Sequence, residues 1–196
     1  MRLLTCIRLI QGRLREHEPA RSAMARDLTN LPPTFFVVRA HAACERDDRE
    51  AARDAFERAL AVGLLEIPRG PTWTMTLTWA ADICAWLDDR STAMRLLELL
   101  TPVAGVMTWA YGPVGRGVGL LELTLGHRSQ AERRLREAIA LCERMDARAF
   151  LAMARLDLGA LLPPSIEGRR LVNQALTAAD ELGMTGLAKR APTTLT

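Results

Sequence analysis

Asp88-Asp89-Arg90-Ser91-Thr92-Ala93 is one of four related segments that recur along this chain of 196 residues. Each segment ends on a small or apolar residue, called here the anchor, and an arginine stands three positions before it. The anchors are Ala52, Ala93, Ala131 and Val172, and the arginines are Arg49, Arg90, Arg128 and Arg169. Successive anchors lie 41, 38 and 41 residues apart, which indicates an internal repeat.

Apolar and small residues keep the same spacing around each anchor. A larger apolar residue follows it by four positions, in the order Phe56, Leu97, Leu135 and Leu176. A small residue precedes it by twelve positions, in the order Ala40, Ala81, Gly119 and Ala160. Such spacing places the apolar side chains on one helical face, and the small residue lets a neighbouring helix approach that face closely. This packing is typical of a tetratricopeptide-type hairpin, whose standard repeat is about 34 residues long.

We therefore predict an all-α fold in which tetratricopeptide-like antiparallel helical hairpins stack as a short right-handed solenoid. Prolines mark the boundaries, because proline is tolerated in the first turn of a helix and breaks its interior. The predicted helices span residues 2–16, 19–29, 33–46, 49–62, 72–87, 90–100, 112–125, 128–144, 147–161, 167–182 and 184–190. Residues 1–196 are predicted to form a single helical-repeat domain, with an N-terminal helical pair at 1–32 and hairpins at 33–67, 68–105, 106–146 and 147–190.

The composition is that of a globular protein, with 49% hydrophobic, 25% charged and 5% aromatic residues, and it excludes a disordered or fibrous chain. The formal net charge of +3 is too small to indicate a nucleic-acid partner. No apolar run approaches the roughly 20 residues that a membrane span requires. We expect a cytoplasmic, soluble protein with buried free thiols. The cysteines are Cys6, Cys44, Cys84 and Cys142.

No motif in the chain predicts catalysis or the binding of a cofactor. Nucleotide-binding loops of the Gly-x-x-x-x-Gly-Lys type, Gly-x-Ser-x-Gly elbows and His-Glu-x-x-His motifs do not occur. The histidines are His17, His41 and His127. None of them has a second histidine three or four positions away, the spacing of a paired-histidine metal site on a helix. The sequence therefore predicts no catalytic, cofactor-binding or metal-binding residue.

Three recurring features have structural interpretations. The glycine-rich run Gly112–Gly119 leads straight into an apolar helix, so it favours close helix contacts over a phosphate cradle. The pairs Asp47-Asp48 and Asp88-Asp89 precede helices and are expected to cap their N-termini. The repeated arginine either reaches an acidic neighbour or a carbonyl of the previous turn, or forms a column of arginines for an acidic partner.

The aromatic residues concentrate in the middle of the chain. Trp79 and Trp86 share a helical face and are predicted to lie in the core. Trp109 and Tyr111 lie in the long connection 102–111, where they either anchor a partner or fold back on the hairpins. The candidate partner- or effector-binding residues are Trp73, Trp109, Tyr111 and Arg116.

Several short motifs, taken in order, carry a family resemblance. They are Leu65-Glu66-Ile67-Pro68-Arg69-Gly70-Pro71-Thr72-Trp73, Leu99-Leu100-Thr101-Pro102, the run 112–121, Thr124-Leu125-Gly126, Met145-Asp146-Ala147-Arg148 and Glu181-Leu182-Gly183-Met184. Together they resemble the C-terminal tetratricopeptide-like helical region of large bacterial regulators. In those regulators a class III adenylate/guanylate cyclase domain or a LuxR-type DNA-binding domain, followed by an AAA/STAND ATPase domain, precedes the repeats. Those domains have no counterpart in this sequence, so the resemblance carries over no catalytic residue.

The resemblance implies a non-enzymatic helical-repeat scaffold for protein–protein interaction or signal sensing. Its partner would be a protein or peptide, such as a cyclase/ATPase regulator, and self-association would cover the ends of the repeat stack. The alternative is a small-molecule effector-sensing module that uses the tryptophan-rich centre. Neither hypothesis involves a cofactor or a membrane, and nucleic-acid binding through the arginines is the least favoured interpretation.

Overall fold

A computed structural model describes residues 2–14 and 31–190, of which 75% are helical and 2% lie in strands. Ten α-helices pack together in this part of the chain. They are α1 (Arg2–Gln11), α2 (Pro33–Glu45), α3 (Arg49–Ala61), α4 (Pro71–Leu87), α5 (Arg90–Leu100), α6 (Val114–Thr124), α7 (Arg128–Arg144), α8 (Arg148–Leu161), α9 (Ile166–Glu181) and α10 (Thr185–Ala188). A 3-10 helix (Thr101–Val103) and the strands β1 (Met107–Thr108) and β2 (Gly112–Pro113) connect α5 to α6. The prediction of a mostly helical chain is confirmed.

The helix bounds agree closely with the prediction from α2 to α9, and the clearest difference lies in α1. This helix ends at Gln11 rather than at residue 16. Gly12 follows with a φ of 68°, in the left-handed region where glycine commonly ends a helix. The predicted helix at 19–29 and His17 lie outside the described residues.

We call the pairs α2–α3, α4–α5, α6–α7 and α8–α9 hairpins, each with a first and a second helix. The first three hairpins use one turn geometry, in which the residue five before the anchor has a positive φ. This residue is Asp47 (58°), Asp88 (54°) or Gly126 (88°). The following Asp48 and Asp89 each accept a backbone N–H at 3.1 Å and cap the second helix. The expectation that both members of each aspartate pair are caps was therefore wrong for the first member.

Small residues bring the helices together as the repeat pattern predicts. A Cβ added to Gly119 in α6 would lie 3.0 Å from Leu135 in α7, so the glycine lets the two helices of this hairpin approach closely. Gly117 faces the preceding hairpin, where an added Cβ would lie 3.3 Å from that of Ala81. The interpretation of the glycine-rich run as packing residues agrees with these contacts.

The fourth hairpin departs from the pattern. Ala160, the predicted small residue, is exposed, and Gly159 lies against Val172 instead, where an added Cβ would meet its Cγ2 at 2.7 Å. The turn between α8 and α9 holds two consecutive prolines and Ser165, which caps α9 by accepting from the backbone N–H of Gly168 at 3.0 Å. The different turn moves the close contact by one residue.

The connection between α5 and α6 contains an antiparallel strand pair that the sequence analysis missed. The hydroxyl of Thr108 donates to the carbonyl of Gly112 at 2.9 Å and accepts from the backbone N–H of Tyr111 at 3.1 Å. Gly112 has a φ of 84°, and an added Cβ would lie 2.7 Å from the ring of Phe150, so a side chain does not fit there. This turn directs Tyr111 into the interior.

Consecutive hairpins are joined by the repeated arginines. Each arginine begins a second helix and donates to a carbonyl at the end of the first helix of the next hairpin. The pairs are Arg49 with Leu87, Arg90 with Leu125, and Arg128 with Leu161. A guanidinium at this place satisfies carbonyls that have no partner within the helix and complements the negative end of the helix dipole. The arginines therefore link neighbouring repeats, a role that the sequence analysis did not foresee. We call these contacts the arginine links.

Of the helices in residues 2–14 and 31–190, none has both the length and the apolar character needed to cross a membrane. The four cysteines are free; three are buried and Cys44 is partly buried.

Candidate functional site

Arg116 occupies the centre of a buried polar cluster. It lies in α6 between two glycines, and its side chain is 1% exposed. Its Nε is 2.6 Å from Oδ2 of Asp157 in α8, and its Nη1 is 3.0 and 3.1 Å from the two carboxylate oxygens of Asp82 in α4. One guanidinium thus joins the first helices of three consecutive hairpins. The close approach of Gly117 to α4 brings the neighbouring Arg116 within reach of Asp82.

Tyr111 and His41 extend the cluster towards α2. The Tyr111 hydroxyl donates to Oδ2 of Asp82, and its oxygen lies 2.9 Å from Nε2 of His41. Because the hydroxyl proton is donated to Asp82, the oxygen accepts from Nε2 of His41. The ring of Tyr111 also stacks edge-to-face on Trp79, with centroids 5.6 Å apart. All four first helices therefore contribute a side chain to this cluster.

Burial and the neighbouring charges shift the pKa values of three residues in the cluster. Burial alone would raise the pKa of Asp82, but the Arg116 guanidinium and the nearby His41 outweigh burial and hold this pKa well below its ordinary value. Burial and the Asp82 charge raise the pKa of Tyr111 well above its ordinary value. Burial lowers the pKa of Arg116, but the carboxylates of Asp157 and Asp82 outweigh that effect and raise it. At neutral pH, Asp82 is therefore ionised and Tyr111 is a neutral donor.

A cavity of about 560 Å³ lies beside this cluster. Its walls come from α1, α2, α4 and the segment around α10, together with Tyr111 and Met153. The polar and charged residues that line it are His41, Glu45, Asp47, Asp82, Tyr111, Lys189 and Arg190. The buried Nδ1 of His41 has no hydrogen-bond partner among the described residues. A volume between about 300 and 1,000 Å³ with a few polar groups suits a small organic ligand.

The first and last described helices close one side of this cavity. The backbones of Gly12 and Gly186 approach so closely that a Cβ on Gly12 would lie 2.4 Å from the Cα of Gly186. The Thr185 hydroxyl donates to the carbonyl of Gln11 at 3.3 Å. Arg190 then reaches back to Oδ1 of Asp157 at 3.1 Å, so the segment after α10 is tied to the buried cluster.

A second depression, of about 660 Å³, lies between α8 and α9. We call it the end groove. Its lining residues are Arg148, Leu151, Ala152, Arg155, Ile166, Arg169, Arg170, Asn173, Gln174, Thr177, Ala178 and Glu181. Ile166 is 79% exposed at its rim. Cationic and apolar side chains therefore share this surface.

The structure brings together two of the four candidate residues, Tyr111 and Arg116. Trp73 packs in the core at 4% exposure, with Arg69 above its ring, whereas Trp109 is 59% exposed. No hydrogen bond, ion pair or ring contact of the described residues joins either tryptophan to the buried cluster. Of the two aromatic residues in the long connection, Tyr111 folds back on the hairpins and Trp109 does not.

Sequence reasoning missed His41, Asp82 and Asp157, although one signal was present. Asp82 stands in the apolar stretch 79–84 and Asp157 in the apolar stretch 156–161, and both side chains are buried. An aspartate inside an apolar helical run needs a buried partner. Arg116, placed in the equivalent first helix of another hairpin, is the natural candidate for that partner.

Among residues 2–14 and 31–190, no three His, Cys, Asp or Glu side chains are grouped so that they could hold a metal ion. In comparisons with family models, curated proteins and solved structures, nothing matches this chain.

Proposed function

We propose that this chain is a non-enzymatic helical-repeat scaffold that binds a protein partner. Its hairpins would form a short, right-handed, tetratricopeptide-like solenoid. The repeated anchors support this proposal, because they are buried in every described hairpin. The arginine links support it too, because they join each hairpin to the next in the same manner.

The observation that carries the proposal is the exposed end groove. In the other hairpins, the first helix of the next hairpin packs against the preceding one: α4 contacts α2 and α3, α6 contacts α4 and α5, and α8 contacts α7. The short helix α10, which follows α9, contacts α9 but does not line the end groove, where Ile166 is exposed. Repeat proteins use such surfaces either as polar caps or as binding faces.

The resemblance to bacterial regulators supports a cytoplasmic setting and suggests a cyclase- or ATPase-bearing protein as the partner. A reading frame for such a protein beside this gene would support the suggestion. Self-association through the end of the stack is the other arrangement that this proposal covers.

Site-specific photo-crosslinking in the source organism tests the scaffold proposal. A benzophenone amino acid is placed at Asn173 in the end groove and, separately, at the exposed positions Arg53 and Met94 on other helices. We expect a cross-linked protein adduct from at least one surface. Adducts from none of these positions, together with a monomer in light scattering, would overturn the proposal.

The cavity beside the buried cluster favours a second candidate function, the sensing of a small-molecule effector. Trp86 lines this cavity, whereas Trp109 is exposed and does not. Tryptophan fluorescence across a metabolite panel tests this function. A ligand in the cavity should change the emission of the wild type and of Trp109→Phe, but not that of Trp86→Phe. No spectral change with any metabolite would count against sensing and leave the scaffold proposal intact.

A further inference from the structure

The fourth repeat arginine, Arg169, stands three residues before its anchor, as do the three arginines of the arginine links, although α9 begins three residues earlier, at Ile166. The residues at the anchor and at three and seven positions beyond it are buried in the first hairpin and again in the fourth. They are Ala52, Ala55 and Ala59 in α3, and Val172, Ala175 and Ala179 in α9. Since the same face of each helix is buried, Arg169 leaves α9 in the direction in which Arg49 leaves α3.

The target of Arg169 is missing from the described chain. Arg49, Arg90 and Arg128 each donate to the carbonyl at the end of a helix that packs on their hairpin. The side chain of Arg169 is exposed, and no hydrogen bond or ion pair joins it to another described residue. It lines the end groove, where a following first helix would lie.

The charge of the end groove indicates the chemistry of the missing helix. Four arginines and one glutamate line the groove. Arg148 pairs with Glu181, and Arg155 lies 3.0 Å from Oε1 of Glu143 outside the groove, so the surface keeps an excess of positive charge. Leu151 and Ala178 supply an apolar floor between the arginines. An amphipathic helix with acidic flanks complements this surface, and its C-terminal end complements a guanidinium through the helix dipole.

We infer that the end groove receives the C-terminal half of an acidic amphipathic helix from a partner protein, and that Arg169 donates to its last carbonyls. This inference rests on the proposed scaffold function and names the surface and the partner element. In a second copy of this chain, the ends of the three first helices α4, α6 and α8 are already bound by that copy's own arginines. The occupant that we propose is therefore a partner protein, and a second copy is an outcome of the test.

The test extends the cross-linking experiment at Asn173. Mass spectrometry identifies the partner segment that is joined to the end groove, and this segment is synthesised as a labelled peptide with an amidated C-terminus. Its affinity is measured by fluorescence anisotropy for the wild type, Arg169→Ala, Arg169→Lys and the control Arg53→Ala, an exposed arginine of α3. Circular dichroism checks that each variant is folded.

We expect an acidic segment that becomes helical on binding, and an affinity that falls at least about tenfold in Arg169→Ala. Arg169→Lys should lose less affinity, because lysine keeps the positive charge but lacks the planar guanidinium. Arg53→Ala should bind the peptide like the wild type. Replacement of the acidic residues of the peptide by their amides should weaken binding in the same way.

Three results would overturn the inference, and they separate it from the scaffold proposal. Adducts from Arg53 or Met94 but none from Asn173 would refute docking in the end groove while the scaffold proposal stands. Adducts from Asn173 that contain only a second copy of this chain, or a basic or extended segment, would refute the proposed occupant. No adduct from any position, together with a monomer in light scattering, would refute both proposals.

Discussion

Nε of Arg116 lies 2.6 Å from Oδ2 of Asp157, a residue 41 positions away in the sequence and one hairpin further along the fold. The same guanidinium contacts Asp82 one hairpin earlier. A single fully buried cation therefore holds three consecutive repeats together at their first helices. Such a cation cannot be removed without leaving two buried carboxylates, which makes the cluster the most sensitive point in the stack.

Replacement of the buried cation should strongly destabilise the fold. Arg116→Met should lower the free energy of unfolding by about 3–5 kcal/mol, because both buried carboxylates lose the cation between them and the remaining contacts from Tyr111 and Arg190 do not replace it. Urea denaturation followed by circular dichroism measures the change. The triple variant that combines Arg116→Met with Asp82→Asn and Asp157→Asn should recover part of the lost free energy of unfolding. The exposed control Arg53→Met should change the free energy of unfolding by less than about 0.5 kcal/mol. Equal stabilities of Arg116→Met and the control would contradict this account.

The low pKa of Asp82 predicts a dependence of stability on pH. The folded-state pKa lies below that of the unfolded chain, so the stabilisation is fully present above the ordinary aspartate range and is lost as the pH falls towards the folded-state value. Asp82→Asn should therefore differ most from the wild type above about pH 5, and the difference should narrow below about pH 4. Urea titrations at a series of pH values from about 7 down to about 2 measure this difference, and a difference independent of pH would argue against an ionised Asp82.

The arginine links should contribute measurably to stability. Arg49 donates to the carbonyls of Trp86 at 3.2 Å and Leu87 at 2.8 Å, so Arg49→Ala should lower the free energy of unfolding by about 1 kcal/mol. Arg49→Lys should lower the free energy of unfolding by a smaller amount, because an ammonium does not reproduce both hydrogen bonds of the guanidinium. Arg169→Ala should have a free energy of unfolding within about 0.5 kcal/mol of the wild type, because the Arg169 side chain makes no hydrogen bond to another helix of the described chain. Thermal unfolding of the three variants separates these outcomes.

Gly112 should tolerate no side chain. Gly112→Ala places a methyl group against Phe150, on a backbone that keeps a left-handed conformation. The substitution should therefore lower the free energy of unfolding by about 2–4 kcal/mol. Gly70→Ala is the matched control, because no heavy atom lies within 4 Å of its added Cβ and its backbone is extended. Tyr111 neighbours Gly112, so near-ultraviolet circular dichroism should report the disturbed turn. A Gly112→Ala protein as stable as the control would refute this explanation of the turn.

The sequence predicted the helices better than the site. Prolines, helix-forming residues and the repeated anchors are local signals, and the helices from α2 to α9 agree with them. Asp82, Arg116 and Asp157 meet only because the hairpins stack in one particular register, which depends on turn lengths and on which glycine permits a close approach. The fourth turn illustrates the difficulty, since its different cap replaces Ala160 by Gly159 at the contact.

The contact between Gly12 and Gly186 should couple local unfolding at the two ends of the described chain. In a row of repeats that touch only their neighbours, the first unit influences the last one only through every unit in between. Here the hydrogen bond from Thr185 to Gln11 spans 174 residues and provides a direct route. Arg190, which follows α10, donates to Asp157 in the fourth hairpin. Local unfolding of α1 would therefore directly affect the fourth hairpin and the wall of the cavity. Fraying of either end should therefore be cooperative, with matching rates of amide exchange in α1 and α10.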